Sequence, residues 1–144
     1  MENCYERALH LLARSEHSRK GLERKLLLRG FTLEAITQAL DKLEEEGALS
    51  DVRYAEEWVR SRLRKHPEGQ GLLILGLEKR GVSRDLASGV VKKFSQGSEY
   101  RTALQSVYHS LCMQGVKERD ALTAALRRKG FTPFEIRAFL EEFG

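Results

Sequence analysis

Cysteine, proline and tryptophan are scarce in this 144-residue chain, which has two, two and one of them. Cys4 and Cys112 stand apart with no CxxC spacing, so they make neither a disulfide framework nor a metal site. His10, His17, His66 and His109 hold no pairing at ligand distance, and HExxH, GxSxG, Walker and GxGxxG patterns are all missing. His109 and Cys112 lie three apart on one helix, where a half-buried thiol beside a surface histidine is the expected outcome. Catalysis, a metal and a cofactor are therefore not expected. No apolar run approaches membrane length, and no apolar core follows a basic head at the N-terminus. The expectation is a soluble cytoplasmic protein, monomeric and without membrane contact. No stretch alternates apolar and polar residues for the length of a strand.

What is present is a repeat. Leu22-Glu-Arg-Lys-Leu26-Leu-Leu-Arg29-Gly30-Phe31-Thr32 returns as Leu73-Ile-Leu-Gly-Leu77-Glu-Lys-Arg80-Gly81-Val82-Ser83, and again as Leu122-Thr-Ala-Ala-Leu126-Arg-Arg-Lys129-Gly130-Phe131-Thr132. The glycines are 51 and 49 residues apart, so one unit is written three times. Each stretch reads as a helix end, a left-handed glycine and a hydroxyl cap for the next helix. Apolar spacing of three and four places further helices on either side. The predicted fold is all-α: three tandem three-helix repeats at 1–48, 49–96 and 97–144, nine helices in series. Charged content of 32% against 41% apolar suits such thin units.

Local signals refine this. Ser18 is the expected cap of the second helix, but Gly21 replaces the glutamate of a capping box, so that start is expected to fray. Glu44-Glu45-Glu46 ends the third helix against its dipole and requires compensation. Val52, Ala55, Val59 and Leu63 form the expected inner face of the fourth helix, which stops before Pro67. Gly69-Gln-Gly71 reads as a flexible break and Ser95-Gln-Gly-Ser98 as a linker. Leu72–Leu77 holds more Leu and Ile than one helix face buries, so it is either packed between units or an exposed patch. Thr132-Pro133-Phe134-Glu135 joins N-cap, first-position proline and capping-box glutamate.

The formal charge is +4. Residues 1–49 carry 8 bases and 9 acids, 50–97 carry 10 and 6, and 98–144 carry 7 and 6, so the middle unit is the most basic. Arg29, Arg80 and Lys129 hold one equivalent position in three units, with Arg24, Lys25, Lys79, Arg127 and Arg128 beside them. Arg60, Arg64 and Lys65 crowd the end of the fourth helix, and Lys92 and Lys93 project from the sixth. These thirteen bases are the candidate contacts to phosphates or to carboxylates of a protein partner. A solvated, dipole-matched helix end is the plainer reading of each cluster alone; their repetition favours a contact face. Tyr54 and Trp58, four apart, are expected to pack rather than to stack on bases.

Ordered blocks add a resemblance. Leu12-Ala-Arg14-Ser-Glu-His17-Ser18-x-x-x-Leu22-x-x-Lys25-Leu26, then Leu49-Ser50-Asp51-x-x-Tyr54-Ala55, then Gly69 twelve residues before the glycine of Lys79-Arg80-Gly81-Val82, resemble the RecX family of regulatory proteins. The resemblance spans residues 5–94, and the third unit follows more loosely. It implies an elongated, curved helical array that binds the groove of the RecA recombinase filament. The implied effect is to lower recombinase, ATPase and coprotease activity in DNA repair, homologous recombination and the SOS response, with contact to single- or double-stranded DNA. Gly21 and Gly76 stand where members usually carry Glu, and Leu72 and Ile74 where they often carry bases. Arg60, Arg64, Lys79 and Arg80 keep the family's basic character. Two further readings remain open: a stand-alone DNA-binding module, and a scaffold joining helical proteins through Leu72–Leu77.

Overall fold

The computed structural model describes residues 2–143. Among them the secondary structure consists of nine α-helices: α1 Cys4–Arg14, α2 Arg19–Leu28, α3 Leu33–Glu45, α4 Asp51–Lys65, α5 Gln70–Lys79, α6 Arg84–Phe94, α7 Ser98–Met113, α8 Arg119–Arg128 and α9 Pro133–Phe143. The expected all-α class is observed, as three successive helix triplets. Side-chain oxygens start most of these helices. Asn3, Ser18, Thr32, Ser50 and Ser83 each accept from a backbone N–H in the first turn. The capping box at Thr132 is complete: Thr132 N–H donates to Glu135 Oε2 at 2.9 Å and Glu135 N–H to Thr132 Oγ1 at 3.2 Å.

The three repeated stretches close α2, α5 and α8 in the same way. Gly30, Gly81 and Gly130 have φ of 92°, 92° and 93°, a region that a Cβ disfavours. The N–H after each glycine returns to a leucine carbonyl five residues back: Phe31 to Leu26, Val82 to Leu77 and Phe131 to Leu126, at 3.1–3.3 Å. The same pairs are apolar, so the backbone closure and the side-chain contact form together.

Burial divides the molecule into two cores. Cys4, Ala8, Leu22, Leu26, Ile36, Ala39, Leu40 and Leu43 form one within the first triplet, and Leu49, the first residue of the expected second unit, packs into it. The second runs without interruption through the other two triplets, from Ala55, Val59 and Leu63 to Phe131, Ile136, Phe139 and Leu140, with α4 packed on α7. Ser95–Gly97, expected as a linker, is a hydrogen-bonded turn over this shared core, with Gly97 N–H donating to Phe94 O at 2.9 Å. Val52, expected inward, is 46% exposed, because α4 turns Ala55, Val59 and Leu63 to the core.

The triplets join through the ends of their middle helices. The N-terminal end of α5 meets the C-terminal end of α8: Gly69 N–H donates to Lys129 O at 2.7 Å and Gly71 N–H to Gly130 O at 3.0 Å. A Cβ on Gly69 would lie 2.3 Å from Phe131 N and 2.4 Å from Gly130 C. The expected flexible break is thus a tight backbone joint, and glycine is there for close approach. The N-terminal end of α2 meets the C-terminal end of α5 similarly. Ser18 Oγ accepts from Gly21 N–H at 3.0 Å while donating to Arg80 O at 2.7 Å, and Arg19 N–H donates to Asp51 Oδ1 at 2.7 Å. Where fraying is expected, Ser18 caps Gly21 N–H and the second triplet holds the same hydroxyl in place. At the first joint free N–H groups of one helix end meet free carbonyls of another, at the second the Ser18 hydroxyl reaches the carbonyl, and in both a positive helix end faces a negative one.

Two further contacts lock this order. Arg53 reaches back to Gly47 O and Ala48 O, at 2.7 and 3.1 Å, and to Glu16 at 2.9 Å. With Arg19 on Asp41 and Glu44, and Tyr5 O–H on Glu46 at 2.6 Å, it supplies the compensation that the acidic end of α3 requires. Glu135 accepts from Tyr100 O–H at 2.9 Å and from the Gln70 amide, tying α9, α7 and the start of α5 together. Burial, with the Glu135 carboxylate next, pushes the Tyr100 phenol well above its ordinary range. The chain exposes 9028 Å², against about 7,600 Å² for a compact monomer of 16.5 kDa. That excess is what units in series produce.

A candidate partner-binding surface

All thirteen candidate bases are exposed. Three have partners. Lys25 Nζ donates to His17 Nε2 at 2.8 Å, and His17 Nδ1–H donates to Ser15 O at 2.9 Å. Arg60 lies over the Phe94 ring at 5.3 Å and 3.6 Å from Glu99. Arg80 donates to Gly76 O at 3.0 Å and covers the Trp58 ring at 4.8 Å, with Arg62 on the same ring at 5.7 Å. The other ten, Arg24, Arg29, Arg64, Lys65, Lys79, Lys92, Lys93, Arg127, Arg128 and Lys129, have no side-chain partner among the described residues. Unpaired exposed cations keep their full charge available for a ligand.

Three of the ten are brought together. Lys65, Arg128 and Lys129 line an open cleft of about 670 Å³ between the end of α4 and the end of α8, with Arg62 and His66 beside them. Leu72, Leu111 and Ala125 also line it. The cleft exists because the α5–α8 joint brings the second and third triplets into register. Glu68 lines the cleft as well and pairs with Arg62 at 2.8 Å, which leaves Lys65, Arg128 and Lys129 as its unpaired charges. The remaining bases are dispersed. Arg29 shares a hollow with Arg7, His10 and Arg14 at the free end of α2. Arg127 sits with Arg119 and Arg137 between α8 and α9, and Arg64 in the groove between α4 and α7. Lys92 and Lys93 occupy the last turn of α6, where positive charge suits the dipole. Arg29, Arg80 and Lys129, equivalent by repeat, therefore have three different surroundings. Arg7, Arg14, Arg119 and Arg137 were not among the sequence candidates. None belongs to the repeated stretches, and only the packing of separate helices puts them beside residues that do.

The apolar run on α5 is mostly accounted for by packing. Leu73 and Leu77 are wholly buried, Leu72 touches Gly130 at the joint, Ile74 is half-buried, and Leu75 is 46% exposed. Gly76 accommodates Trp58: a Cβ there would lie 2.5 Å from the edge of the indole. Among the described residues, no cluster of three metal-ligating side chains occurs and no helix is long and apolar enough to cross a membrane.

A model of the first three-helix domain of RecX matches residues 4–43, and one of the second three-helix domain matches residues 50–90. The regulatory protein RecX of Pelodictyon phaeoclathratiforme is 33% identical over 92% of this chain and 84% of its own length. The chain belongs to the RecX family. RecX of Halorhodospira halophila is 37% identical, over 95% of this chain and 86% of its own. Crystal structures agree on the fold: RecX from Lactobacillus salivarius superposes with a TM-score of 0.84 at 22% identity, covering 96% of this chain and 93% of its own. A second RecX regulatory protein gives 0.78 at 19% identity, covering 96% and 71%. Membership makes this chain a regulatory protein, in a family that is not a known enzyme class. In this chain Trp58 and Gly76 act as a pair, the ring occupying the space that a side chain at position 76 would need.

Proposed function

We propose that this RecX-family chain lies in the groove of the RecA–DNA filament, as a cytoplasmic monomer, and lowers recombinase, ATPase and coprotease activity without catalysing a reaction itself. The observation that supports this most is the backbone joint at Gly69 and Gly71. With the Ser18–Arg80 and Arg19–Asp51 contacts that hold the first triplet, it makes the triplets a stiff series rather than beads on a flexible chain. The units 1–48, 49–96 and 97–144 would then bridge neighbouring filament subunits and resist the relative motion that turnover requires. The thirteen exposed bases are the proposed contacts, with the Lys65, Arg128 and Lys129 cleft first among them. Strand exchange and ATP hydrolysis by the cognate RecA, measured across a titration of the protein, test the reading. No inhibition at equimolar amounts refutes it.

The same cleft favours a second reading, DNA binding without RecA, because three unpaired bases around one hollow suit a phosphate. That reading requires tight, salt-sensitive binding to bare DNA. Lys65→Glu with Arg128→Glu and Lys129→Glu would then reduce the salt slope by about one for each phosphate left without its cation.

A further inference from the structure

The middle helices are ordered head to tail, α8 to α5 to α2, and this order leaves one C-terminal end without an occupant. At the other two ends the carbonyl of the last residue before the glycine accepts a hydrogen bond from the next unit. Lys129 O takes Gly69 N–H and Arg80 O takes Ser18 Oγ–H, each at 2.7 Å. Arg29 O is their counterpart on α2, and among the described residues nothing donates to it. A Cβ on Gly30 would likewise meet nothing within 4 Å, whereas on Gly81 it would strike Lys20 and on Gly130 Leu72.

The residues around this end also differ from their equivalents. Leu27, Leu28 and Leu33 are 46%, 85% and 57% exposed. The second triplet has Glu78, Lys79 and Arg84 at these positions, and the third has Arg127, Arg128 and Pro133. Three leucines in water gain nothing for an isolated helix end, and a charged residue is clearly compatible with the same backbone. Their presence where the joint is open marks an interaction surface.

We propose that the C-terminal end of α2, at Leu27, Leu28, Gly30 and Leu33, docks a protein subunit of the filament. The docked element is the N-terminal end of one of that subunit's helices. This continues outside the chain the joint that is made twice within it, and it rests on the filament reading above. Both internal joints receive a helix N-terminus, which supplies the donor for the open carbonyl: a free backbone N–H at Gly69 and the capping hydroxyl at Ser18. The rim is basic, with Arg24 and Arg29 unpaired and Arg14 beside Arg29, so the incoming helix carries acids in its first turn, where its own dipole also favours them. A second copy does not fit. Face to face, it would bring the same arginines together. Head to tail, it would offer the start of α8, where Lys117 and Arg119 balance Glu118 and the first-turn Asp120, so that end carries no net negative charge to meet the arginines. Three leucines also fall well short of the roughly 800 Å² per partner of a stable interface. The patch is one contact among several on a larger filament.

The variant Leu27→Glu with Leu28→Lys and Leu33→Arg installs the second triplet's own residues, so fold and melting temperature are expected to stay unchanged. Co-sedimentation with RecA filaments on single-stranded DNA is measured at 0.1 and 0.5 M salt. At the higher concentration the basic contacts are screened and apolar docking dominates. The variant is expected to bind about a hundredfold more weakly at 0.5 M, as follows from losing burial of two to three leucines. Unchanged binding at both concentrations overturns the docking assignment and leaves the filament reading intact. A wild-type chain that fails to co-sediment overturns both. A wild-type dimer in sedimentation equilibrium that the triple variant abolishes makes a second copy the occupant, and overturns the assignment to the filament.

Discussion

Gly69→Ala should destabilise the protein and Gly71→Ala should not. Gly69 has φ −93° and ψ 179°, which alanine adopts without strain. Removing a glycine there would by itself stabilise the protein by about 0.4–1 kcal/mol through the unfolded chain. The joint reverses the sign. A Cβ 2.3 Å from Phe131 N has to retreat by roughly 1 Å to reach ordinary contact, and backbone cannot turn aside as a side chain can. That movement breaks the Gly69–Lys129 and Gly71–Gly130 hydrogen bonds, at about 1 kcal/mol each and more where a group is left buried and unpaired. The net expectation for Gly69→Ala is a loss of about 2–4 kcal/mol. That corresponds to a fall of about 5–15 °C in melting temperature for a chain of this size. At Gly71 a Cβ would meet Gly130 O at 3.4 Å, an acceptable contact, and the residue lies inside α5. Alanine there should be neutral or gain up to about 1 kcal/mol from helix propensity. Urea and thermal unfolding followed by circular dichroism decide the matter. Equal effects at the two positions would mean that the segment is a loose connector and not a joint.

The pairing of Trp58 with Gly76 predicts a reversal of sign: Gly76→Ala should destabilise the wild type by about 1–2 kcal/mol yet stabilise a Trp58→Ala background through helix propensity, which a double-mutant cycle in urea measures directly. Arg53→Ala should cost about 1–2 kcal/mol and speed amide exchange at Gly47–Leu49, leaving the α5–α8 joint protected. The raised pKa of Tyr100 carries a pH dependence. The folded state holds the phenolic proton beyond the ordinary value of 10.0, so this contribution is fully present below pH 10 and is lost as pH climbs above it. The urea midpoint of the wild type should therefore fall above pH 10, and Tyr100→Phe should flatten that fall; an unchanged slope in the variant would remove Tyr100 as the cause.

Much of the fold was legible because its signals are local. A helix end of the form Leu-x-x-x-Leu-x-x-base-Gly closes through bonds among its own residues, so Gly30, Gly81 and Gly130 could be read without knowledge of any neighbour. The capping box at Thr132 and three of the four residues given for the inner face of α4 follow from spacing alone. The candidate surface was legible only as a set of bases. Which of them lie together depends on how whole helices meet, and Lys65 and Arg128 are 63 residues apart. Misreadings came where a neighbour changed the meaning of a residue. Gly69 looked like slack and is a close backbone contact, and Ser18 looked poorly capped because its second partner, Arg80, is 62 residues away.

By itself, then, the amino-acid order determined the repeat, the nine helices, the family pattern and the excess of charge, all of which depend on residues within a few turns of one another. Only the tertiary structure decided that two of the three equivalent helix ends are occupied and one is open. The three stretches close by the same short-range bonds, and what distinguishes them is the helix that arrives from elsewhere in the chain, or does not arrive.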